Sequence, residues 1–223
     1  MESLAALRGK LIVSCQALPG EVFRDPRLMA LFARAAVAGG AAGIRANGPE
    51  DIRAIRQGTD VPVIGIQKCI MDDGRKLITP SLESARALVE AGAAMVALEA
   101  GARGQRYGAL DRIRRIREEL GVPALADIAT VEEALAAADA GADAVLTTMR
   151  GYTPETEQVK AFDPRFIEEL ARRVTVPVIA EGRIHTPAQA RDAVAAGAFA
   201  VVVGTAITRP QQMTELFVAA MAG

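Results

Sequence analysis

Eight short apolar runs in this chain each end on polar residues that a core has no use for, and those residues carry the first hint of chemistry. They are Cys15-Gln16, Arg45-Ala46-Asn47, Gln67-Lys68, Glu99, Asp127, Thr147-Thr148, Glu181-Gly182 and Gly204-Thr205. Lys68 stands out. A lysine closing a buried run is partly desolvated, which lowers its pKa from a reference of about 10.4 and makes a neutral amine available as base or nucleophile. Glu181 and Asp127 offer carboxylates to complete an acid and base pair, or else to neutralise Lys68 in a rim salt bridge. Anion chemistry is suggested at two further places. Ala180-Glu181-Gly182-Arg183 and Gly204-Thr205-Ala206-Ile207-Thr208-Arg209-Pro210 each pair a glycine with a basic residue. Glycine exposes backbone N–H groups to a phosphate, and Arg209 adds a bidentate cation. The bland alternative is that Gly182 and Gly204 only permit tight turns.

The elements that must position these groups follow two alternating patterns. One is Val-Pro then apolar, at Val61-Pro62, Val122-Pro123 and Val176-Pro177; the other follows Ala-Gly-Ala type turns around Gly40, Gly92, Gly141 and Gly197. With Leu11–Cys15, these give eight strands. The segments between them show helical period, as in Pro187–Val194, where Thr186 reads as N-cap and Pro187 as first helical residue. The strands are continuous apolar runs, which suits a parallel sheet covered by helices. The expected fold is therefore α/β, a single-domain (β/α)8 TIM barrel over residues 1–223, with an open doubly wound sheet as the rival. In such a barrel the polar run ends converge on one rim, with strands three, five and seven placing Lys68, Asp127 and Glu181 on alternate staves.

Composition narrows the function classes. In 223 residues, 26 Lys and Arg face 27 Asp and Glu, so the net charge of −1 predicts neither a nucleic-acid nor a membrane partner. Just 4% aromatic residues argue against a base-stacking platform. The start Met1-Glu2-Ser3-Leu4 has no basic leader pattern, and no run approaches the roughly 20 apolar residues of a membrane span, so a soluble cytoplasmic protein is expected. Cys15 and Cys69 read as reduced thiols, and the single His185 lacks clustered carboxylates, so no metal site is expected.

Several of these segments resemble the N-acetylmannosamine-6-phosphate 2-epimerase family: Ile12–Pro19, Gly43–Asn47, Pro62–Lys68, Ala126–Thr130, Gly151-Tyr152-Thr153, Ala180-Glu181-Gly182 and Ala206–Pro210. The resemblance implies cofactor-independent interconversion of N-acetylmannosamine 6-phosphate and N-acetylglucosamine 6-phosphate in sialic acid breakdown. It implies that Lys68 removes and returns the C2 proton with Glu181 as acidic partner. Gln16, Arg45 and Asp127 match residues that hold the sugar chain and N-acetyl group, and Tyr152 and Thr153 join the substrate-binding candidates. Gly182, Arg183, Gly204, Thr205 and Arg209 match the phosphate end. A C2 proton beside a carbonyl is acidified only if charge on the carbonyl oxygen is stabilised, a task for Arg45 or Gln16. The chain departs from the family pattern at Glu99-Ala100-Gly101, at Thr205 and at Cys69-Ile70-Met71, which narrows the site and bears on the substrate. Two alternatives stay open: a Schiff-base, phosphate-dependent aldolase through Lys68, and a non-catalytic sugar-phosphate binder. Exposed apolar positions expected at Leu216, Phe217 and Met221 make a homodimer reasonable.

Overall fold

The computed structural model describes residues 2–17 and 19–221. Eight parallel strands close into a barrel: β1 (Leu11–Cys15), β2 (Gly43–Asn47), β3 (Val63–Ile66), β4 (Met95–Glu99), β5 (Ala124–Asp127), β6 (Ala144–Leu146), β7 (Val178–Glu181) and β8 (Ala200–Val203). Around the ring each strand pairs with its neighbours in sequence, and β8 closes on β1 through Leu11 opposite Val201. The expected barrel is thus present. The open sheet is excluded by that closure.

Why these residues form it is legible locally. Pro62, Pro123 and Pro177 have no N–H to offer a ladder, so they stand just before β3, β5 and β7. Their carbonyls still accept from Ile44, Val96 and Val145 of the adjacent strands. Several helices start on side-chain caps, with capping boxes at Ser81 to Ser84, Thr130 to Glu133 and Thr186 to Gln189. Side chains alternate across each strand and separate two cores. Ile12, Ile64, Ile66, Met95, Leu125, Leu146, Ile179 and Val202 fill the barrel interior, closed below by Leu4 and Leu7 of the N-terminal segment. Val13, Val63, Val96, Val145 and Val201 face the helices.

Carried to the carboxyl ends, the same alternation points Ser14, Arg45, Glu99, Asp127 and Glu181 inward above the apolar layer. The helix count also exceeds one per strand. Short helices at Glu2–Ala5, Ala102–Arg106 and Thr205–Thr208 supplement the eight long ones. The other addition is an antiparallel hairpin, Lys68–Ile70 with Lys76–Ile78, standing on the rim after β3. Both cysteines are free, and Cys15 is packed in the outer core. No helix among the described residues is long and apolar enough to cross a membrane.

Candidate active site

Lys68 requires a correction. It does not close barrel strand β3, which stops at Ile66; it opens the hairpin. The chain leaves the barrel ladder because Thr79, just past the return strand, takes both backbone groups of Gln67: its N–H donates to the Gln67 carbonyl (2.7 Å), and its hydroxyl accepts from the Gln67 N–H (3.1 Å). The Thr79 hydroxyl donates in turn to the Ala97 carbonyl at 2.7 Å, tying the hairpin base to β4. Thr79 is fully buried at φ +50, a left-handed backbone that a β-branched residue adopts only when its surroundings enforce it. Asn47 completes the mount by accepting from the Lys68 N–H at 2.9 Å. The lysine is thereby fixed from three strands.

The lysine's electrostatics follow from this position. Burial pushes the Lys68 ammonium down to about 8, assisted by the nearby Arg45 guanidinium, while Glu181 and Asp127 act in the opposite direction. About a tenth of the lysine is then neutral at pH 7, far more than for an ordinary lysine. Lys68 has no ion pair among the described residues, so the rim salt bridge does not form.

The carboxylates pair with Arg45 instead. This residue is 1% exposed and donates from Nη2 to Asp127 Oδ2 (2.6 Å) and from Nη1 to Glu181 Oε1 (2.5 Å). Burial opposes the guanidinium charge, and the two carboxylates more than offset it. Asp127 is completely buried; burial lifts its carboxyl to about 6, against the pull of Arg45. The Thr148 hydroxyl lies 2.7 Å from Asp127 Oδ1 and 3.0 Å from Glu181 Oε2, and Thr147 brackets the Glu181 backbone. The result is a three-residue ionic stack whose upper member, Glu181, reaches the open space.

That space is a cavity of about 350 Å³ lined by Gln16, Arg45, Lys68, Tyr152, Glu181, Gly182, Arg183, Gly204, Thr205 and Arg209, among others. Most of the sequence-chosen residues therefore meet at one place. Asp127 and Thr153 do not line it: Asp127 lies beneath, holding Arg45, and Thr153 pairs with Thr156 at 3.0 Å. Gln16 donates to the Ser14 hydroxyl at 2.6 Å. Arg183 stacks over Tyr152, 4.5 Å from the ring centroid, and donates to the Gly151 carbonyl. Arg209 is ion-paired with Glu21.

The two glycines expected at a phosphate differ. Gly182 has φ +98, which favours glycine outright, whereas Gly204 is not left-handed. There a Cβ would stand 3.2 Å from Ser14 Cβ, so close approach of β8 to β1 is the constraint.

The sequence placed Thr148 among the polar strand ends without giving it a role, and sequence reading missed Thr79 and the cavity-lining Lys76 and Ile78. The last two had a signal in Asp72-Asp73-Gly74, a turn sequence between two short apolar stretches. Among the described residues, no group of three or more His, Cys, Asp and Glu is placed to hold a metal ion.

Comparison with known proteins gives a consistent picture. The family model described as "Putative N-acetylmannosamine-6-phosphate epimerase" matches residues 29–223. Relatives named "Putative N-acetylmannosamine-6-phosphate 2-epimerase" include one from Caldanaerobacter subterraneus subsp. tengcongensis, 46% identical over 98% of this chain and 93% of its own length. Another, from Cutibacterium acnes, is 47% identical over 96% of this chain and 94% of its own. Among solved structures, the N-acetylmannosamine-6-phosphate 2-epimerase from Clostridium perfringens superposes with a TM-score of 0.91 at 42% identity, covering 97% of this chain and 95% of that one. A thiamine phosphate pyrophosphorylase from Pyrococcus furiosus, at 19% identity and a TM-score of 0.64, shares the fold alone.

Proposed function

The chain belongs to the N-acetylmannosamine-6-phosphate epimerase family, and from that premise we propose that it epimerises N-acetylmannosamine 6-phosphate at C2, with Lys68 as the base. The observation that carries this reading is the desolvated, unpaired Lys68 facing the same cavity as Glu181.

Neutral Lys68 takes the C2 proton, and the electron pair of the C–H bond moves into the C1–C2 bond as the carbonyl oxygen becomes an enolate. The nascent ammonium is favoured by the negative charges of Glu181 and Asp127. Each terminal nitrogen of Arg45 gives one N–H to a carboxylate, so Arg45 stabilises the enolate chiefly through charge, and Gln16, whose Nε2 keeps one N–H beyond its bond to Ser14, is a direct hydrogen-bond donor. The Lys68 ammonium returns a proton once the planar enolate has turned its other face toward it, which inverts C2 and restores the neutral amine. The Gly182, Arg183, Gly204, Thr205 and Arg209 wall takes the phosphate, whose binding energy orients C2 against Lys68. Thr153 is left without a substrate contact in this scheme, and Asp127 acts by holding Arg45.

The direct test is proton NMR of N-acetylmannosamine 6-phosphate with the protein in D₂O. The ammonium of Lys68 exchanges its protons with solvent, so the gluco epimer is expected to carry deuterium at C2. An unchanged, fully protonated sugar would sink the proposal. Borohydride with substrate is expected to leave activity intact, since no imine forms; inactivation would move the assignment to a Schiff-base enzyme.

We further propose that the protein is a homodimer through its C-terminal helix. Pro210–Met221 buries no residue and leaves Leu216, Phe217, Val218 and Met221 half to nearly fully exposed. A two-fold axis along that helix would cover the same patch on both copies. Sedimentation should give twice the 23.4 kDa chain mass, and Phe217→Glu should return it to the monomer. A monomeric unaltered protein refutes the assembly.

A further inference from the structure

A second cavity, of about 560 Å³, opens behind the first, and the two share a wall of Lys76, Glu99, Met149 and Tyr152. Its position relative to the substrate follows from barrel order. In the ring 1-8-7-6-5-4-3-2, β3 stands diametrically across from β7 and β4 across from β8. A sugar anchored by its phosphate at the β7 and β8 loops therefore extends toward β3 and β4. There Lys68 meets C2, and the substituent on C2 comes to the end of β4, at Glu99.

Glu99 is suited to meet an amide. It is 4% exposed, accepts from the Ile78 N–H, and has no ion pair among the described residues. Burial pushes its carboxyl up to about 7, so near neutrality it offers both an acceptor and a donor form. Beyond it, Arg75, Lys76, Arg106 and Glu155 are exposed to solvent, and the other charged residues are occupied. Arg103 donates to the Lys76 carbonyl at 2.6 Å and to Asp73 at 2.9 Å, clamping the hairpin. Glu133 accepts from the N–H groups of Ala102, Ala129 and Thr130. The apolar part of the wall, Ala102, Tyr107, Met149, Tyr152 and Pro154, suits carbon chains.

We infer that Glu99 and the cavity behind it form an acyl subsite, so that the enzyme accepts 6-phosphorylated mannosamines whose N-acyl chain is longer than acetyl. The inference rests on the C2 epimerisation proposed above and names the substrate class of that site.

The test compares kcat/KM for synthetic N-acetyl- and N-butanoylmannosamine 6-phosphate, in the unaltered protein and in Ala102→Phe, which places a ring in the second cavity from an exposed helical position. The butanoyl compound is expected within about tenfold of the acetyl one, because its two extra carbons enter existing space, and the ratio should fall at least about tenfold in Ala102→Phe. Turnover of the acetyl compound with the butanoyl one down by about a hundredfold or more, or a ratio that Ala102→Phe leaves unmoved, overturns the subsite while leaving the epimerase standing. Turnover of neither compound overturns both. Glu99→Gln, which keeps size and hydrogen bonding but removes the ionisation, should preserve the butanoyl to acetyl ratio; loss of acceptance in that variant also refutes the assignment.

Discussion

Lys68→Ala is expected to lower kcat by roughly 10³ to 10⁴, the whole contribution of a positioned general base, with secondary structure and thermal midpoint close to the unaltered protein. The fold is spared because the Lys68 side chain has no ion pair, and its backbone N–H, which Asn47 binds, is kept by alanine. In the unaltered protein kcat/KM should rise with pH through a limb near 8, the value to which burial lowers this ammonium, since the amine is active only when deprotonated. The sign follows from the chemistry: a base with a lowered pKa gains its active form as pH climbs toward that pKa and has it in full above. A variant retaining a tenth of the activity, or a profile flat from pH 6 to pH 9, would remove Lys68 from the role.

The same residue shows how far sequence could reach. Lys68 was visible because a charged residue directly after a continuous apolar run is anomalous, and the barrel was visible because three Val-Pro and four Ala-Gly-Ala type segments alternate after the first apolar run, Leu11–Cys15. Strand parity would then place Ser14, Arg45, Glu99, Asp127 and Glu181 on one inner layer. What parity does not specify is which of several charges pair. Asp127 and Glu181 pair with Arg45 rather than with Lys68, because the planar fork of Arg45 spans two carboxylates while Lys68 is pinned by its backbone to the hairpin. That choice depends on Thr79 and Asn47, whose roles involve contacts 12 and 21 residues away in sequence. Neither has any local periodicity to betray it. The short hairpin escaped for a different reason: three-residue strands on a rim carry too few residues for alternation to register.

Replacing Arg45 should be the most costly change to stability in the site. Arg45→Met leaves Asp127 fully buried beside Glu181 with no cation between them, and breaking a buried pair on one side costs about 3 to 5 kcal/mol. For a chain of this size that corresponds to a thermal midpoint lower by roughly 10 °C. The double variant Arg45→Met with Asp127→Leu removes the stranded charge as well, so it should recover much of the lost stability, because apolar packing can substitute for a buried ion pair. Activity should not recover. The enolate still lacks the guanidinium charge, a loss of roughly 10² to 10³ in kcat, and Glu181 has lost its anchor. In any Arg45→Met protein with residual turnover, the acidic limb of the pH profile should move above 8, since the Arg45 charge is one of the causes lowering Lys68. Stability and catalysis therefore part company in the double variant. If the single variant melts within two or three degrees of the unaltered protein, or the double variant regains activity along with stability, the stack is scaffolding and the electrostatic account of the site fails.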